Sequence, residues 1–209
     1  MRISNSDQNR EWKRFAEEFL SGRIRFLEKD IRICLRTYRS KRYTNNTSKR
    51  AYFPALITCC ATLEFMAGLN IGNLKNQVPM DNINRYVKYY MHNPAYLGEA
   101  ANILWKVFRH KIAYMTHPSY VASYGNRRIV WKVSEKLIDN HMSIEKDNNN
   151  IKRLPKPPYP VPYDHRIYIS IPCLKNDITN SIWEYLIDVK IDSAKLANFK
   201  QAIEDIYPR

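Results

Sequence analysis

The chain contains few of the residues on which nucleotide-binding and metal-binding motifs depend. Only five of its 209 residues are glycine, and neither a G-x-G-x-x-G fingerprint nor a Walker phosphate-binding loop occurs. Its four cysteines lack zinc-ligand spacing, and there is no His-Glu-x-x-His segment. We therefore expect no metal and no cofactor, and we expect reduced cysteines packed into the core of a cytoplasmic protein.

Long apolar runs are scarce as well. The first residues lack the apolar core of a signal peptide, and the most apolar stretch, 53–69, is interrupted by Glu64 and shorter than a bilayer requires. We therefore expect a soluble chain with no membrane partner. Because 44% of the 209 residues are apolar, the chain can bury a core of its own, and we predict a single domain over 1–209.

Positive charge is the property that the chain has in excess. Its 34 Lys and Arg residues outnumber 20 Asp and Glu residues, which gives a net charge of +14. Residues 21–50 contain ten Lys and Arg residues but only two acids, Glu28 and Asp30, so their net charge is +8 (10 − 2). The net charge of residues 51–100 is zero. Solvated surfaces normally mix both signs, so this concentration predicts a surface that binds a polyanion, most commonly nucleic acid.

Apolar spacing predicts that the cations lie along one long helix over 8–40, followed by a basic loop over 41–50. An anionic membrane is the alternative partner, but we expect no exposed apolar face beside the cations that could enter lipid. The residues predicted to bind nucleic acid are Arg25, Lys29, Arg32, Arg36, Arg39, Lys41 and Arg42.

The remaining patterns predict a mainly α fold. Further helices are expected over 52–70, 81–91, 96–116, 177–190 and 193–206, the last of them capped by Asp192-Ser193. β-branched and aromatic runs predict strands over 128–134, 138–145 and 166–172. We therefore predict a helical bundle with a small antiparallel β-sheet inserted at about 120–172, before the last helix pair.

These elements divide the predicted domain into four segments. A long basic helix and loop occupy 1–50, a helical core 51–118, the β insertion with a proline-rich loop 119–172, and a helix pair 173–209. Because proline continues neither a helix interior nor a strand ladder, we expect the proline-rich part of the insertion to be a loop or polyproline II segment.

One predicted helix end carries side chains suited to cleaving RNA. His110, Tyr114 and His117 stand at i, i+4 and i+7, and Arg109 adjoins them. A histidine can deprotonate the ribose 2′-OH, while an arginine stabilises the charge that develops on the attacked phosphate. Glu64, on an apolar helix, needs a partner and is predicted to pair with Arg109 or His110. The alternative is that these side chains only cap and pack the helix end.

The order of these helices resembles a known family over roughly residues 53–118. The matching segments are Thr62-Leu-Glu64-Phe-Met-Ala-Gly-Leu69, Ile83-Asn-Arg-Tyr-Val-Lys-Tyr-Tyr90 and Leu104-Trp-x-x-Phe-Arg-His-Lys-Ile-Ala113. They are similar to HEPN-like bacterial helical bundles. The resemblance implies a homodimer, and active members of the family are metal-independent endoribonucleases of toxin, phage-defence and CRISPR systems. It makes Arg109 the motif arginine and His110 the polar residue that follows it.

The chain departs from the family pattern at one position. The histidine expected five residues after Arg109 is Tyr114, and the next histidine, His117, stands eight after it. Tyrosine, with a reference pKa of about 10, is a poor base at pH 7. Two functions remain open: an endoribonuclease that uses His117, and a non-catalytic protein that binds RNA, DNA or a partner. A neutralising or regulatory protein partner is also implied by the resemblance.

Overall fold

The computed structural model describes residues 5–36, 52–105, 121–147 and 162–208. The described part is mainly helical, with one small sheet. Its helices are α1 Asn5–Leu35, α2 Tyr52–Ile71, α3 Met80–Tyr90, α4 Glu99–Ile103, α5 Ile171–Ile191 and α6 Ser193–Ile206, with a 3₁₀ turn at Pro94–Leu97. Its strands are β1 Val121–Tyr124, β2 Arg127–Ser134, β3 Ile144–Lys146 and β4 His165–Ser170. The predicted mainly α class with a small β insertion is confirmed.

The chain divides into two compact units. The first unit comprises Met1–Ile33, Thr58–His92 and Lys175–Arg209, and the second comprises Cys34–Ile57 and Asn93–Leu174. The first unit is helical, and the second contains the sheet. The single domain over 1–209 stays a prediction.

The core of the first unit contains a cluster of tyrosines between α3 and α5. The rings of Tyr86 and Tyr90 lie 4.8 Å apart between centroids, and Tyr185 lies 5.7 Å from Tyr90. Tyr86 Oη donates to the backbone oxygen of Ser181 at 3.2 Å, and Tyr90 Oη donates to Asp188 Oδ2 at 2.8 Å. Burial raises the pKa of Tyr86 and Tyr90, so both hydroxyls remain protonated donors at neutral pH.

Helix α6 begins where the sequence predicts, because Asp192 caps its first turn. The Asp192 carboxylate accepts from the backbone N–H of Ala194 at 2.7 Å and of Lys195 at 3.4 Å. These two N–H groups have no partner inside the helix, so the cap satisfies them. The confirmed cap fixes the boundary between α5 and α6.

Removing this cap should lower the stability of the protein by a measurable amount. We expect Asp192→Ala to lower the free energy of unfolding by about 1 kcal/mol, because two N–H groups lose their acceptor. Asp192→Asn, whose side-chain oxygen can still accept, should retain most of the stability. Urea unfolding of the three proteins measures the difference, and equal midpoints for Asp192→Ala and the parent chain would contradict this role.

The sheet in the second unit is mixed, so the predicted antiparallel sheet is wrong. The strand order is β1-β2-β4-β3, with β2 parallel to β4 and the two outer pairs antiparallel. A two-residue turn with Gly125 at φ 57° joins β1 to β2, which forces that pair to be antiparallel. Some thirty residues separate β2 from β4, enough for a crossover that returns the chain in the same direction.

Two predicted strands have different bounds in the structure. Of the predicted 138–145, only the end enters the sheet, as β3, and residues 139–142 form turns in which Met142 has φ 61°. The predicted strand 166–172 ends at Ser170, where α5 begins with Pro172 in its first turn, a position that tolerates proline. The helix predicted over 177–190 therefore starts six residues earlier, at Ile171.

Two predicted helices also differ at their ends. The helix predicted over 8–40 ends at Leu35, and residues 37–51 lie outside the described part. The continuous helix predicted from residue 96 is interrupted, because Gly98 is extended, with ψ −177°, between the 3₁₀ turn and α4. The structure describes this region as far as Trp105.

Helix α2 is longer than the apolar stretch expected from the sequence. It has 20 residues, and its most apolar 18-residue window has a mean hydropathy of 1.4, so the expectation that it is too short to span a bilayer is wrong. Half of that window is buried, and the core helix of a soluble protein passes the same test. The buried apolar side chains of α2 are Ala55, Leu56, Cys59, Cys60, Leu63, Met66, Ala67 and Leu69, and Asn70 near its end is buried as well.

Candidate nucleic-acid interface

Three of the predicted nucleic-acid-binding residues form a line along α1, which we call the cation line: Arg25, Lys29 and Arg32. They stand at i, i+4 and i+7, so they share one helix face. All three are exposed, and none forms an ion pair with another described residue. The cation line therefore presents three positive charges to solvent, none of them ion-paired within the described residues.

The opposite side of α1 explains this orientation. Leu20, Ile24, Leu27 and Ile31 repeat at the same helical spacing and are buried. Because this apolar stripe packs into the core of the first unit, residues on the far side of the helix are directed outward. The sequence spacing thus predicted correctly that these cations are accessible.

The other predicted cations are placed as follows. Arg36 is exposed immediately after α1, in the second unit. Arg39, Lys41 and Arg42 lie outside the described residues. Arg23, by contrast, is held inside the first unit, with its guanidinium carbon 4.4 Å from the ring centroid of Phe65, where a cation is attracted by the aromatic face.

Several carboxylates of α1 already have cationic partners. Glu28 Oε1 lies 3.9 Å from Lys175 Nζ, and Glu17 Oε2 lies 2.8 Å from Lys190 Nζ. The N-terminal half of the helix also contains the Arg14–Glu18 pair at 3.1 Å. The pairs of Glu17 and Glu18 precede the cation line, whereas Glu28 lies within its span and is paired with Lys175.

A second line runs beside the cation line and consists of Phe26, Asp30 and Ile33. Each of its residues follows a member of the cation line by one position, which places the second line about 100° round the helix. Phe26 is 61% exposed, Ile33 is 54% exposed, and Asp30 between them is exposed as well. The expectation that no exposed apolar side chain adjoins the cations is therefore wrong.

The predicted catalytic residues lie mainly beyond the part of the chain that the structure describes. Arg109, His110, Tyr114 and His117 fall within 106–120. Glu64 is described and is half-buried on α2. Its pairing with Arg109 or His110 stays a prediction, as does their catalytic role.

A buried histidine in the second unit was not anticipated from the sequence. His141 is only 6% exposed. Its Nδ1 accepts from the backbone N–H of Ser170 at 2.9 Å, and its Nε2 lies 2.7 Å from Tyr96 Oη. Because Nδ1 is an acceptor, the proton of the neutral ring is on Nε2, which donates to Tyr96.

Burial lowers the pKa of His141 to about 4. The ring is therefore neutral at pH 7, and both of its nitrogens are engaged in hydrogen bonds that join the 139–142 turn to β4 and to the 3₁₀ turn. This arrangement is typical of a structural histidine. Its burial could not be predicted from the sequence, because His141 falls within a segment with strand-like composition.

Within residues 5–36, 52–105, 121–147 and 162–208, no three His, Cys, Asp or Glu side chains are grouped closely enough to hold a metal ion. None of the four cysteines, all of which the structure describes, forms a disulfide: Cys59 and Cys60 are buried, and Cys34 and Cys173 are half-buried.

Comparisons with known proteins identified no relative of this chain. No protein-family model matches the chain, and neither the search of curated proteins nor the search of solved structures found a match. The HEPN-like resemblance consequently rests on the residues quoted above.

Proposed function

We propose that this protein binds RNA and that the cation line on α1 holds the phosphates of the RNA. The observation that carries the proposal is the exposure of Arg25, Lys29 and Arg32 along one helix face, without ion-pair partners in the described part of a chain whose net charge is +14. Unpaired cations retain their full attraction for a polyanion, and their contact with phosphates releases condensed counterions.

The geometry of the line suits a phosphate backbone. Arg25 and Lys29 are about 6 Å apart along the helix axis, and Lys29 and Arg32 about 4.5 Å, at 1.5 Å per residue. Two of the three are arginines, whose planar guanidinium can hold phosphate oxygens with two parallel hydrogen bonds. We assign each of the three side chains to a phosphate contact.

An anionic membrane is less compatible with the same surface. Lipid insertion requires an apolar helix face, but Asp30 lies between Phe26 and Ile33 and is exposed. Entry of both apolar side chains into lipid would desolvate that carboxylate, at a cost of several kcal/mol. RNA imposes no such cost, because the carboxylate remains hydrated or meets a polar base edge.

The proposal is tested by reversing the cation line. We expect Arg25→Glu/Lys29→Glu/Arg32→Glu to weaken binding of a single-stranded 12-nucleotide RNA at least about tenfold at 0.15 M salt, because three phosphate contacts are lost. Fluorescence anisotropy of a labelled RNA gives the affinity. Circular dichroism checks that the helices remain.

A matched control separates position from net charge. Arg10→Glu/Arg85→Glu/Lys88→Glu also reverses three exposed cations of the first unit that lack described ion-pair partners, and both variants have a net charge of +8 (14 − 6). We expect the control to lose much less affinity. Equal losses in the two variants would show that binding follows net charge alone and would reject the cation line as the site.

A second candidate function is RNA cleavage by a cytoplasmic, homodimeric HEPN-like endoribonuclease of a toxin or phage-defence system. It is supported by the sequence order of Arg109, His110, Tyr114 and His117. In this mechanism His117 takes the 2′-OH proton and the 2′-oxygen attacks the adjacent phosphorus, which forms a 2′,3′-cyclic phosphate. The P–O5′ bond breaks, the leaving 5′-oxygen takes a proton from water, and Arg109 stabilises the charge on the phosphate. The non-catalytic alternative, with Tyr114 replacing the motif histidine, keeps RNA binding by the cation line without cleavage.

A further inference from the structure

The second line on α1 places three different side chains beside the cation line. Phe26, Asp30 and Ile33 stand at i, i+4 and i+7, and all three are exposed. The two lines together cover about 160°, a little under half of the circumference of α1, and both belong to the first unit. A ligand bound along the cation line therefore lies within reach of the side chains of the second line.

We infer that the second line contacts the bases of single-stranded RNA and favours bases with an amino group, cytosine over uracil. This inference rests on the proposed function, because the cation line must first hold the phosphates. In a single strand the bases project to one side of the backbone and their pairing edges are free. A duplex would turn those edges inward and leave only phosphates within reach.

Phe26 supplies the stacking surface. It is 61% exposed although it is among the most apolar side chains of the chain, and it adjoins Arg25 and Lys29. An aromatic ring beside a basic track is the arrangement with which proteins hold single strands, since every base has a π-face. Ile33, two helical turns further, offers a second apolar contact for a base.

Asp30 supplies the discrimination. Its carboxylate accepts hydrogen bonds only, and it lies between the two apolar contacts, where a base edge would meet it. The N4 amino group of cytosine can donate to that carboxylate, whereas the O4 atom of uracil at the same place is an acceptor and is repelled. No described residue forms an ion pair with Asp30, so its carboxylate is not neutralised within the described chain.

The experiment compares labelled C12, U12 and an RNA duplex of the same length for the parent chain and two variants. We expect the parent chain to bind C12 about fivefold more tightly than U12, the effect of one net hydrogen bond. Asp30→Asn can both accept and donate, so the ratio between C12 and U12 should fall to about one.

The second variant tests stacking. Phe26→Ala should weaken binding of both single strands about tenfold and leave duplex binding nearly unchanged, because the loss is confined to base stacking. Phe26→Tyr, which retains a ring, should restore single-strand affinity. Quenching of 2-aminopurine placed within the single strand reports stacking directly and should disappear in Phe26→Ala alone.

The outcomes separate this inference from the proposed function. Suppose that reversal of the cation line weakens RNA binding, while Asp30→Asn leaves the ratio of C12 to U12 affinity unchanged. Suppose also that Phe26→Ala weakens binding of single strands and duplex equally. The base contacts would then be rejected, and the phosphate contacts would remain supported. If reversal has no effect, both fail. Loss of binding to anionic vesicles on Phe26→Ala, without an effect on RNA, would assign the second line to a membrane surface and overturn the inference.

Discussion

Lowering the pH from 7 to 4 should reduce the free energy of unfolding by about 3 kcal/mol through His141 alone. The pKa of the buried ring is about 4, against 6.5 for an ordinary histidine. Between these values the unfolded chain binds a proton that the folded chain does not, so stability falls as the pH falls from 6.5 to 4. The gap of 2.5 pH units corresponds to about 3 kcal/mol at 1.36 kcal/mol per unit.

The physical cause is burial, which disfavours the charged ring, and the hydrogen bonds of the neutral ring act in the same direction. Protonation would place an N–H on Nδ1, opposite the backbone N–H of Ser170 that now donates to it. Urea unfolding at pH 7 and pH 4 measures the loss. The histidine resonance should titrate near pH 4 by NMR.

Two variants isolate the contribution of this residue. His141→Gln has no titrating ring. Between pH 7 and pH 4 its free energy of unfolding should therefore decrease by about 3 kcal/mol less than that of the parent chain. His92→Gln, at an exposed position, still contains His141, so its free energy of unfolding should still show the decrease of about 3 kcal/mol that we assign to His141. An identical pH dependence in His141→Gln and the parent chain would contradict this assignment.

Arg109→Ala should reduce RNA cleavage at least about 100-fold if the second candidate function is correct, since the loss of one group that stabilises transition-state charge has that order of effect. EDTA should leave cleavage by the parent chain unchanged. RNA with 2′-O-methyl groups should resist cleavage, because the attacking hydroxyl is blocked. Gel analysis of an end-labelled RNA measures all three.

Two further variants assign the base in this reaction. His117→Ala should abolish cleavage, while Tyr114→Phe should retain it, because tyrosine is a poor base at neutral pH. Absence of EDTA-resistant, Arg109-dependent cleavage would remove the enzymatic candidate. RNA binding by the cation line is independent of that result.

Much of the helical part of the fold could be predicted from the sequence. Helix α3 was placed within one residue at each end, and α6 was placed with its Asp192 cap, because apolar period and capping chemistry are local properties. The direction of β4 could not be predicted in the same way. Strand composition identifies residues that suit a sheet, but the path of residues 135–164 decides that β4 runs parallel to β2.

The candidate site was predicted in part for a similar reason. Regular spacing predicted the cation line, since three cations at i, i+4 and i+7 share a face whatever the rest of the fold does. Phe26 and Ile33 are exposed because a different apolar stripe of α1, which contains Ile24 and Leu27, packs into the core. Spacing alone does not tell which apolar residues of the helix are buried. His141 was missed because its burial is created by contacts between distant segments of the second unit.

The central claim is that Arg25, Lys29 and Arg32 contact RNA phosphates. Its most direct test is the slope of log binding constant against log salt concentration for a single-stranded RNA. At about 0.7 per phosphate contact, three contacts contribute about 2 to the slope. We expect reversal of the cation line to make the slope shallower by about 2, with little change in the Arg10, Arg85 and Lys88 control. Equal slopes for these two variants would contradict the claim.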